Sequence, residues 1–453
     1  MPIRRLLVLL LLFAHAAPGH ADLPLNLTPA LPAVSGAMLL PARDAALPLL
    51  DRGKSQLVET EEAIPLIDLT TPPDDLWQRV RNGFSMPDLD SPLVARQQAW
   101  FLNRPELLQR IFGRCQRYLY YVVAELEKRG MPAELALLPV IESSYNPQAA
   151  SPARALGMWQ FIPSTGKNYK LKQNAWFDER RDIVASTDAA LNYLQYIYQM
   201  HGDWHLALAS YNWGEGAVGR AIARNRSKGS PTDYPHLAMP AETRNYVPKL
   251  QAIKNIIADP ALFGLKLEPI PNRPYFATVE RNEKMDVVVA AQLAEIPLDE
   301  FIALNPAYSR PVMPRDADSP LVLPAAKVAV FRDNLEEYKA NNKPLSAWNT
   351  HMLKRGEKLD AVARRYGLSV DRLKQLNGLT RRSKVRPGLA LLVPGKDATG
   401  YEALAAHLPK TPLDAPRAAK TRKRGHGAKA GGTQRSTALR GKVRRPAARH
   451  RKR

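Results

Sequence analysis

Hydrophobic residues recur at helical spacing through the middle of the chain. One pattern follows Pro105, with apolar side chains at positions 108, 111, 115, 119, 122 and 126, and it ends at Gly130. Intervals of three and four residues place these side chains on one face of a helix. Further helical patterns run from Pro132 to about Pro260, without the alternation that is typical of strands. Helical patterns begin near Trp77, so the pattern predicts an all-α domain that ends at about Pro260.

Caps and prolines predict where some of these helices begin and end. Ser186 or Thr187 can cap a helix that stops at Gly202. Pro139 lies inside an otherwise helical segment and should kink or restart the helix there. Cys115, the one cysteine, recurs in step with the apolar face after Pro105, which predicts a small buried side chain.

A weak internal repeat follows the helical region. Aligned at an offset of 72 residues without gaps, residues 281–305 face residues 353–377. Each copy ends in a short β-like run before a proline, at 321–324 and 391–394, so each predicts a strand, two short helices and a strand. The expected fold class is therefore mainly α, with two small βααβ modules at about 275–325 and 348–396. The shared residues are Asp299 and Asp371, Leu304 and Leu376, and Asn305 and Asn377.

The first residues have the layout of a secretory signal. Arg4 and Arg5 precede an apolar run that ends at Phe13, and small residues lead to Ala21. The run is short for a membrane span, which favours a signal peptide over residues 1–21 and an exported protein of the periplasm or cell envelope. An uncleaved anchor is the alternative. Residues 22–75 are rich in Leu, Pro and Ala and predict a leader, and no cysteine follows the run to carry a lipid.

The positive charge is concentrated at the C-terminus. Of the formal net charge of +22, residues 409–453 carry +15, in a segment rich in Gly, Ala and Pro. This composition predicts a disordered tail. The tail has no aromatic residue on which a base could stack, so a nucleic-acid partner is not expected. Anionic lipids or envelope polymers are the expected contacts, and a merely solubilising role is the alternative.

Glu142 is the first candidate for chemistry. It falls four residues after Leu138 and seven after Leu135, on their apolar face of a predicted helix. Burial of a carboxyl disfavours its charged form and raises its pKa, as a general acid near neutral pH requires. A solvated glutamate at a helix end is the alternative, and from this segment alone it is the commoner case.

Two later turns have the residue types that bind sugars. Residues 157–160 read Gly-Met-Trp-Gln, and residues 210–216 end an apolar helix as Ser-Tyr-Asn-Trp-Gly-Glu-Gly. Flat aromatic rings pack on the apolar faces of sugars, and amides read their hydroxyl and acetamido groups. Either segment alone is also compatible with core packing and a turn.

Together these motifs resemble the soluble lytic transglycosylase family, which has a goose-type-lysozyme-like fold, and most closely its membrane-bound lytic murein transglycosylase D group. The Glu142-Ser143 pair, the turn at 157–160 and the Ser210-Tyr211-Asn212 segment stand in the family's order. The resemblance implies that Glu142 is the catalytic acid and base. It implies a substrate-binding cleft with Ser151, Met158, Gln160, Tyr211, Asn212, Glu242 and Tyr246. Trp159 departs from the smaller residue that is commoner in the family's glycine turn.

Residues 350–388 resemble a LysM domain, a family that binds glycans containing N-acetylglucosamine between two loops. The two loops are Arg355–Leu359 and Gly378–Arg381 in this chain. The resemblance implies glycan contacts from Arg355, Gly356, Glu357, Leu359 and Leu379. The upstream copy has Lys284 where the second has Gly356, which indicates a degenerate LysM-like module.

The family's reaction cleaves the β-1,4 bond between N-acetylmuramic acid and N-acetylglucosamine in peptidoglycan and leaves a 1,6-anhydro sugar. The resemblance implies this lyase activity for the chain, with peptidoglycan strands as partner. No cofactor or metal is expected, since the sequence has no HExxH motif and no paired His/Cys cluster. One alternative is a lysozyme-type hydrolase in which Asp178 or Asp182 activates water. A non-catalytic peptidoglycan-binding protein is the other.

Overall fold

The structure is a computed structural model that describes residues 73–174, 176–315, 319–380, 383–395 and 408. The predicted signal peptide, the leader up to residue 72 and the basic tail lie outside the described residues. The first region is helical, and its extended pairing consists of isolated bridges such as Ala150–Leu156. Its helices are α1 (Leu76–Asn82), α2 (Pro92–Leu102), α3 (Pro105–Glu127), α4 (Leu138–Ser143), α5 (Pro163–Asn168), α6 (Ile183–His201), α7 (Trp204–Trp213), α8 (Glu215–Arg226), α9 (Ala241–Arg244) and α10 (Tyr246–Ala258).

The predicted amphipathic helix is α3, and its apolar face is the centre of the helical core. Pro105 lies in its first turn, where the missing N–H costs no hydrogen bond. Leu119 and Val122 are fully buried, as is Cys115, which confirms the prediction for the cysteine. At the two ends of the region, the Leu76 amide donates to the Ile270 carbonyl at 2.7 Å. The ends of the helical domain are thereby fastened together.

The cap predicted for α6 was wrong, although its end before Gly202 is confirmed. Asp182 is the cap, and its Oδ1 accepts hydrogen bonds from the amides of Val184 and Ala185. A carboxylate at this position satisfies two amides that would otherwise lack partners. Ser186 and Thr187 lie one turn further on and are fully buried.

Two small modules follow, and the predicted fold class is confirmed. The second has the predicted βααβ order, and the first has this order with one further pair of two-residue strands inside it. The first module pairs Phe276 with Pro324, and the second pairs Trp348 with Pro394, both in antiparallel register. The first module contains β1 (Phe276–Val279), β2 (Met285–Asp286), α11 (Val287–Leu293), α12 (Leu298–Leu304), β3 (Val312–Met313) and β4 (Leu321–Pro324), followed by α13 (Val328–Ala340). The second contains β5 (Trp348–Met352), α14 (Leu359–Arg365), α15 (Val370–Leu376) and β6 (Ala390–Pro394).

Helix α13 was not predicted from the sequence. It packs on the first module through Phe331, which is almost fully buried. Few of its other side chains are buried, so its hydrophobic pattern is weak.

The repeated asparagine has the same structural role in both modules. Asn305 donates to the carbonyls of Phe301 and Val322 and accepts from the Val322 amide at 2.9 Å. Asn377 makes the corresponding three bonds to the carbonyls of Leu373 and Leu392 and to the Leu392 amide. Each buried amide therefore ties the end of the second helix to the last strand, which explains an identity that survives in a diverged repeat.

The first module docks directly on the helical domain. The Asp178 amide donates to the Ala307 carbonyl at 3.0 Å, and the Ser309 amide donates to the Trp176 carbonyl at 2.9 Å. Arg117 of α3 forms an ion pair of 2.5 Å with Glu300 of α12. The backbone pairing fixes the orientation of the module more strictly than a surface ion pair alone would.

We expect Asn377→Ala to destabilise the second module by about 1–3 kcal/mol, because the buried groups of Leu373 and Leu392 lose their partner. Hydrogen exchange of the peptide that contains β6 measures this as a lower free energy of opening. Gln375→Ala is the control, since this side chain is exposed. Equal exchange in the two variants would contradict the role assigned to Asn377.

Candidate active site

Glu142 lies in a short helix that restarts at a proline, as predicted. A 3₁₀ turn covers Ala133–Leu137, and α4 then begins at Leu138 with Pro139 in its first turn. The helix ends at Ser144, which has left-handed backbone angles with φ of 53°. The break at both ends leaves Glu142 on a single rigid turn above the buried side chains of Leu135 and Leu138.

The carboxyl group of Glu142 accepts a hydrogen bond from the hydroxyl of Tyr246, the first residue of α10. Burial raises the pKa of Glu142 to about 7; the Tyr246 hydrogen bond and the positive charge of Lys249 oppose the rise, and the negative charge of Glu242 adds to it. The second oxygen, Oε2, has no protein partner among the described residues. The site therefore presents a carboxyl group that can be protonated or ionised near neutral pH.

The glycine turn is fastened under this helix. Ser143 donates from its hydroxyl to the Met158 carbonyl at 2.8 Å. Gly157 has a φ of +83°, and a side-chain carbon at this position would lie 1.8 Å from the Arg180 carbonyl oxygen. Only glycine allows the two backbones to approach so closely. The turn places Gln160 half-buried, with its Nε2 donating to the Gly157 carbonyl at 2.7 Å.

Trp159, the residue that departs from the family pattern, is fully buried below the turn. Its indole N–H donates to the Thr187 hydroxyl at 3.0 Å. The large ring therefore packs inside the core, and the surface of the turn is formed by the neighbouring residues.

The third motif joins the glycine turn to the segment that carries Tyr246. Tyr211 donates from its hydroxyl to the Trp159 carbonyl at 2.9 Å. Asn212 accepts through Oδ1 from the Thr243 hydroxyl at 2.8 Å, three residues before Tyr246. With the two bonds made by Ser143 and Glu142, four hydrogen bonds connect four segments that are far apart in the sequence.

Most of the predicted cleft residues lie in the segments that these four hydrogen bonds join. The side chain of one predicted residue does not face the cleft. Met158 is fully buried in the hydrophobic core, so we correct the expectation that its side chain touches a sugar. Ser151 is half-buried, and its hydroxyl accepts from the Ala155 amide at 3.1 Å. Glu242 is exposed on α9, and Tyr246 is buried beside Glu142.

Thr243 is a positioning residue that sequence reasoning missed. It is buried, it holds Asn212, and its carbonyl accepts from the Tyr234 hydroxyl at 2.6 Å. Thr243 lies beside Glu242 in a motif that the sequence analysis identified. Its hydrogen-bond partners are distant in sequence, so no local pattern could indicate its role.

The two aspartates considered as water-activating partners are both engaged in structure. Asp178 is buried and forms an ion pair of 2.7 Å with Arg180. Asp182 is buried, caps α6 and accepts from the Ser319 hydroxyl at 2.8 Å. Neither carboxylate is placed to activate a water molecule. Across the described residues, no three His, Cys, Asp or Glu side chains cluster as a metal site would require.

In the second module, the loop after β5 divides the predicted glycan contacts into two groups. Arg355 and Gly356 are exposed, and Gly356 has a φ of +80°. Glu357 turns inward, where its carboxylate accepts from His351 at 2.9 Å and from the Lys354 amide at 3.0 Å. Three of the predicted contact residues thus interact mainly within the module. Glu357 bonds to His351, and Leu359 and Leu379 pack in the hydrophobic core. Arg381 lies outside the described residues.

The equivalent loop of the first module makes a contact within the protein. Lys284, which occupies the position of Gly356, donates from its ammonium group to the Trp348 carbonyl at the start of β5. The substitution that marked this module as degenerate therefore connects the two modules.

Three domain families match the chain in the order that the fold shows. The transglycosylase SLT domain matches residues 120–233. The LysM-like domain of lytic transglycosylase MltD matches residues 275–340, a range that includes α13. The LysM domain matches residues 351–394.

Similar proteins of known name are also lytic murein transglycosylases. The chain is 34% identical to the membrane-bound lytic murein transglycosylase D of Escherichia coli K12 over 332 residues. The alignment covers 71% of this chain and 73% of that protein. It is 28% identical over 127 residues to the soluble lytic murein transglycosylase of Escherichia coli K12, covering 27% and 19% of the two chains. Because the first relative is matched over almost three quarters of its length, and because an SLT domain precedes an MltD-type LysM-like domain, the chain belongs to the lytic murein transglycosylase D family.

Proposed function

We propose that this protein cleaves the glycan strands of peptidoglycan by lytic transglycosylation, with Glu142 as both the acid and the base. The observation that supports this most directly is the half-buried Glu142 carboxyl, whose pKa is raised to about 7 beside the Tyr246 hydroxyl. A group whose pKa lies near the working pH can donate a proton and later accept one.

In the first step, protonated Glu142 donates its proton to the oxygen that bridges N-acetylmuramic acid and N-acetylglucosamine. The bond from C1 of the muramic sugar to that oxygen breaks, and the N-acetylglucosamine side leaves with a new hydroxyl group. In the second step, ionised Glu142 removes the proton of the C6 hydroxyl, and O6 bonds to C1. The product is a 1,6-anhydro sugar, no water is consumed, and Glu142 is protonated again.

Tyr246 has a defined part in this cycle. Its hydroxyl donates to the Glu142 carboxyl, and such a bond favours the ionised form that exists between the two steps. Burial favours the protonated form that begins the reaction. Because the two effects oppose each other, both the protonated and the ionised form of Glu142 are populated near the same pH.

We propose six substrate contacts in the helical domain. They are the half-buried Ser151, Gln160, Tyr211 and Asn212, together with Glu242 and Tyr246. In the second module we propose Arg355 and Gly356 as glycan contacts, because both are exposed on the loop after β5.

The proposed organisation is a signal peptide at 1–21, a leader at 22–75, a catalytic domain at 76–265, modules at 275–325 and 348–396, and a tail at 409–453. We propose that the protein is exported and acts in the cell envelope, where its relative is described as membrane-bound. Among the residues that the structure describes, none of the helices combines the length and the apolar composition of a membrane span. The basic tail is proposed to contact anionic lipids or envelope polymers.

We expect Glu142→Gln to slow the release of anhydro-muropeptides from purified sacculi by about 10²- to 10⁴-fold, because the amide cannot donate or accept the proton. Mass spectrometry of the products measures the rate and also detects hydrolysis, which would add one water. Glu106→Gln, an exposed change of the same kind, is the control and should retain the parental rate. An unchanged rate in Glu142→Gln would refute the assignment.

We expect kcat/KM to fall as the pH rises through about 7, because the reaction begins with protonated Glu142. Tyr246→Phe removes a hydrogen bond that lowers the pKa of Glu142, so the inflection should move to higher pH. The pH profile on a soluble glycan measures this shift. Tyr196→Phe, at an exposed tyrosine, is the control. If Tyr246→Phe moved the inflection to lower pH, the proposed role of the hydroxyl would be wrong.

We expect deletion of residues 345–398 to weaken the binding of the Glu142→Gln protein to sacculi while sparing cleavage of a soluble glycan by the chain with native Glu142. The reason is that the deleted module supplies the proposed Arg355 and Gly356 contacts. A pull-down with insoluble peptidoglycan measures binding, and an equal bound fraction would argue against a glycan-binding role for this module.

A further inference from the structure

A cavity of about 390 Å³ lies where the helical domain meets both modules. Its lining residues come from all three parts: Lys172, Asn174, Trp176 and Phe177 of the helical domain, Lys284, Val312, Pro314 and Arg315 of the first module, and Thr350 and Ala390 of the second. The volume falls within the range of about 300–1,000 Å³ that is usual for small-molecule sites. Neither Glu142 nor the LysM loop at Arg355 lines it.

The wall of this cavity is cationic. Lys172, Lys284 and Arg315 line it, and among the described residues that line it there is no aspartate or glutamate. Burial lowers the pKa of Lys284, and the charge of Asp286 behind it opposes that shift. Three positive groups in one partly enclosed space attract an anion that can spread its charge among them.

The cavity also has a surface suited to sugar rings. Trp176 is half-buried and packs against both modules, which keeps its indole in place. Asn174 lies beside it, where its Oδ1 accepts from the amides of Trp176 and Phe177. A fixed aromatic face next to an amide and cations matches a carbohydrate that carries carboxylates.

We infer that this cavity binds the carboxylate-bearing part of a muropeptide, with a sugar against Trp176 and stem-peptide carboxylates at Arg315 and the two lysines. The inference rests on the proposed peptidoglycan substrate, and it does not depend on the role of Glu142. Because three parts of the protein form the wall, an occupied cavity holds the second module against the helical domain. The site would engage a peptide-bearing strand at a place separate from the cleavage site.

The test is calorimetric titration of the full-length Glu142→Gln protein with a soluble disaccharide–tetrapeptide, with saturating chitotetraose present to occupy neutral-sugar sites. Adding Arg315→Gln should weaken binding by about three- to tenfold, because a charged partner of the carboxylate is lost. Arg315→Lys should restore most of the affinity. The same ligand with its carboxylates amidated should bind equally to the Arg315 and Arg315→Gln proteins.

Lys228→Gln is the matched control, since it removes one charge from an exposed position that does not line the cavity. Equal affinities of the Arg315→Gln and Lys228→Gln proteins for the acidic ligand would overturn the inference. This readout measures binding alone, so it is independent of the cleavage assay. Failure of the Glu142 proposal would leave the calorimetric result unchanged, and loss of the cavity effect would leave the cleavage result unchanged.

Discussion

The contact between the Tyr246 hydroxyl and the Glu142 carboxyl is the interaction on which the cleft depends. It joins the earliest and the latest motif of the helical domain across 104 residues of sequence. Burial makes this carboxyl hard to ionise, and the hydroxyl makes the ionised form tolerable. A change in the position of α10 would therefore alter both the shape of the cleft and the proton affinity of its central group.

The rest of the cleft is built to hold that contact in place. Short helices and turns with unusual backbone angles cluster there, including Ser144 and Gln160 with φ of 53° and 52°. Such angles are unfavourable for residues other than glycine and persist where the surroundings impose them. Here the surroundings are the hydrogen bonds of Ser143, Tyr211 and Asn212, which connect each turn to the next.

The two modules share one fold and differ in one loop. Both retain the buried asparagine that ties helix to strand, so both retain the same architecture. They differ in the loop after the first strand, where Gly356 is exposed and Lys284 contacts the neighbouring module. The loop that is proposed to face a glycan in one copy thus faces the protein in the other.

The periodic helices, the outer strands and paired helices of both modules, and the family could all be predicted from the sequence, because each depends on local spacing or on short motifs. The sequence also pointed to Glu142, since the carboxylate falls on an apolar face near Leu138. Which of the candidate side chains are accessible depends on how distant segments pack, and this became clear from the fold. In the fold, Met158 is buried, Glu357 points inward to His351, and Asp182 caps α6. Thr243, helix α13 and the cavity at Trp176 depend on contacts between segments far apart in the chain, and no local pattern encodes such contacts.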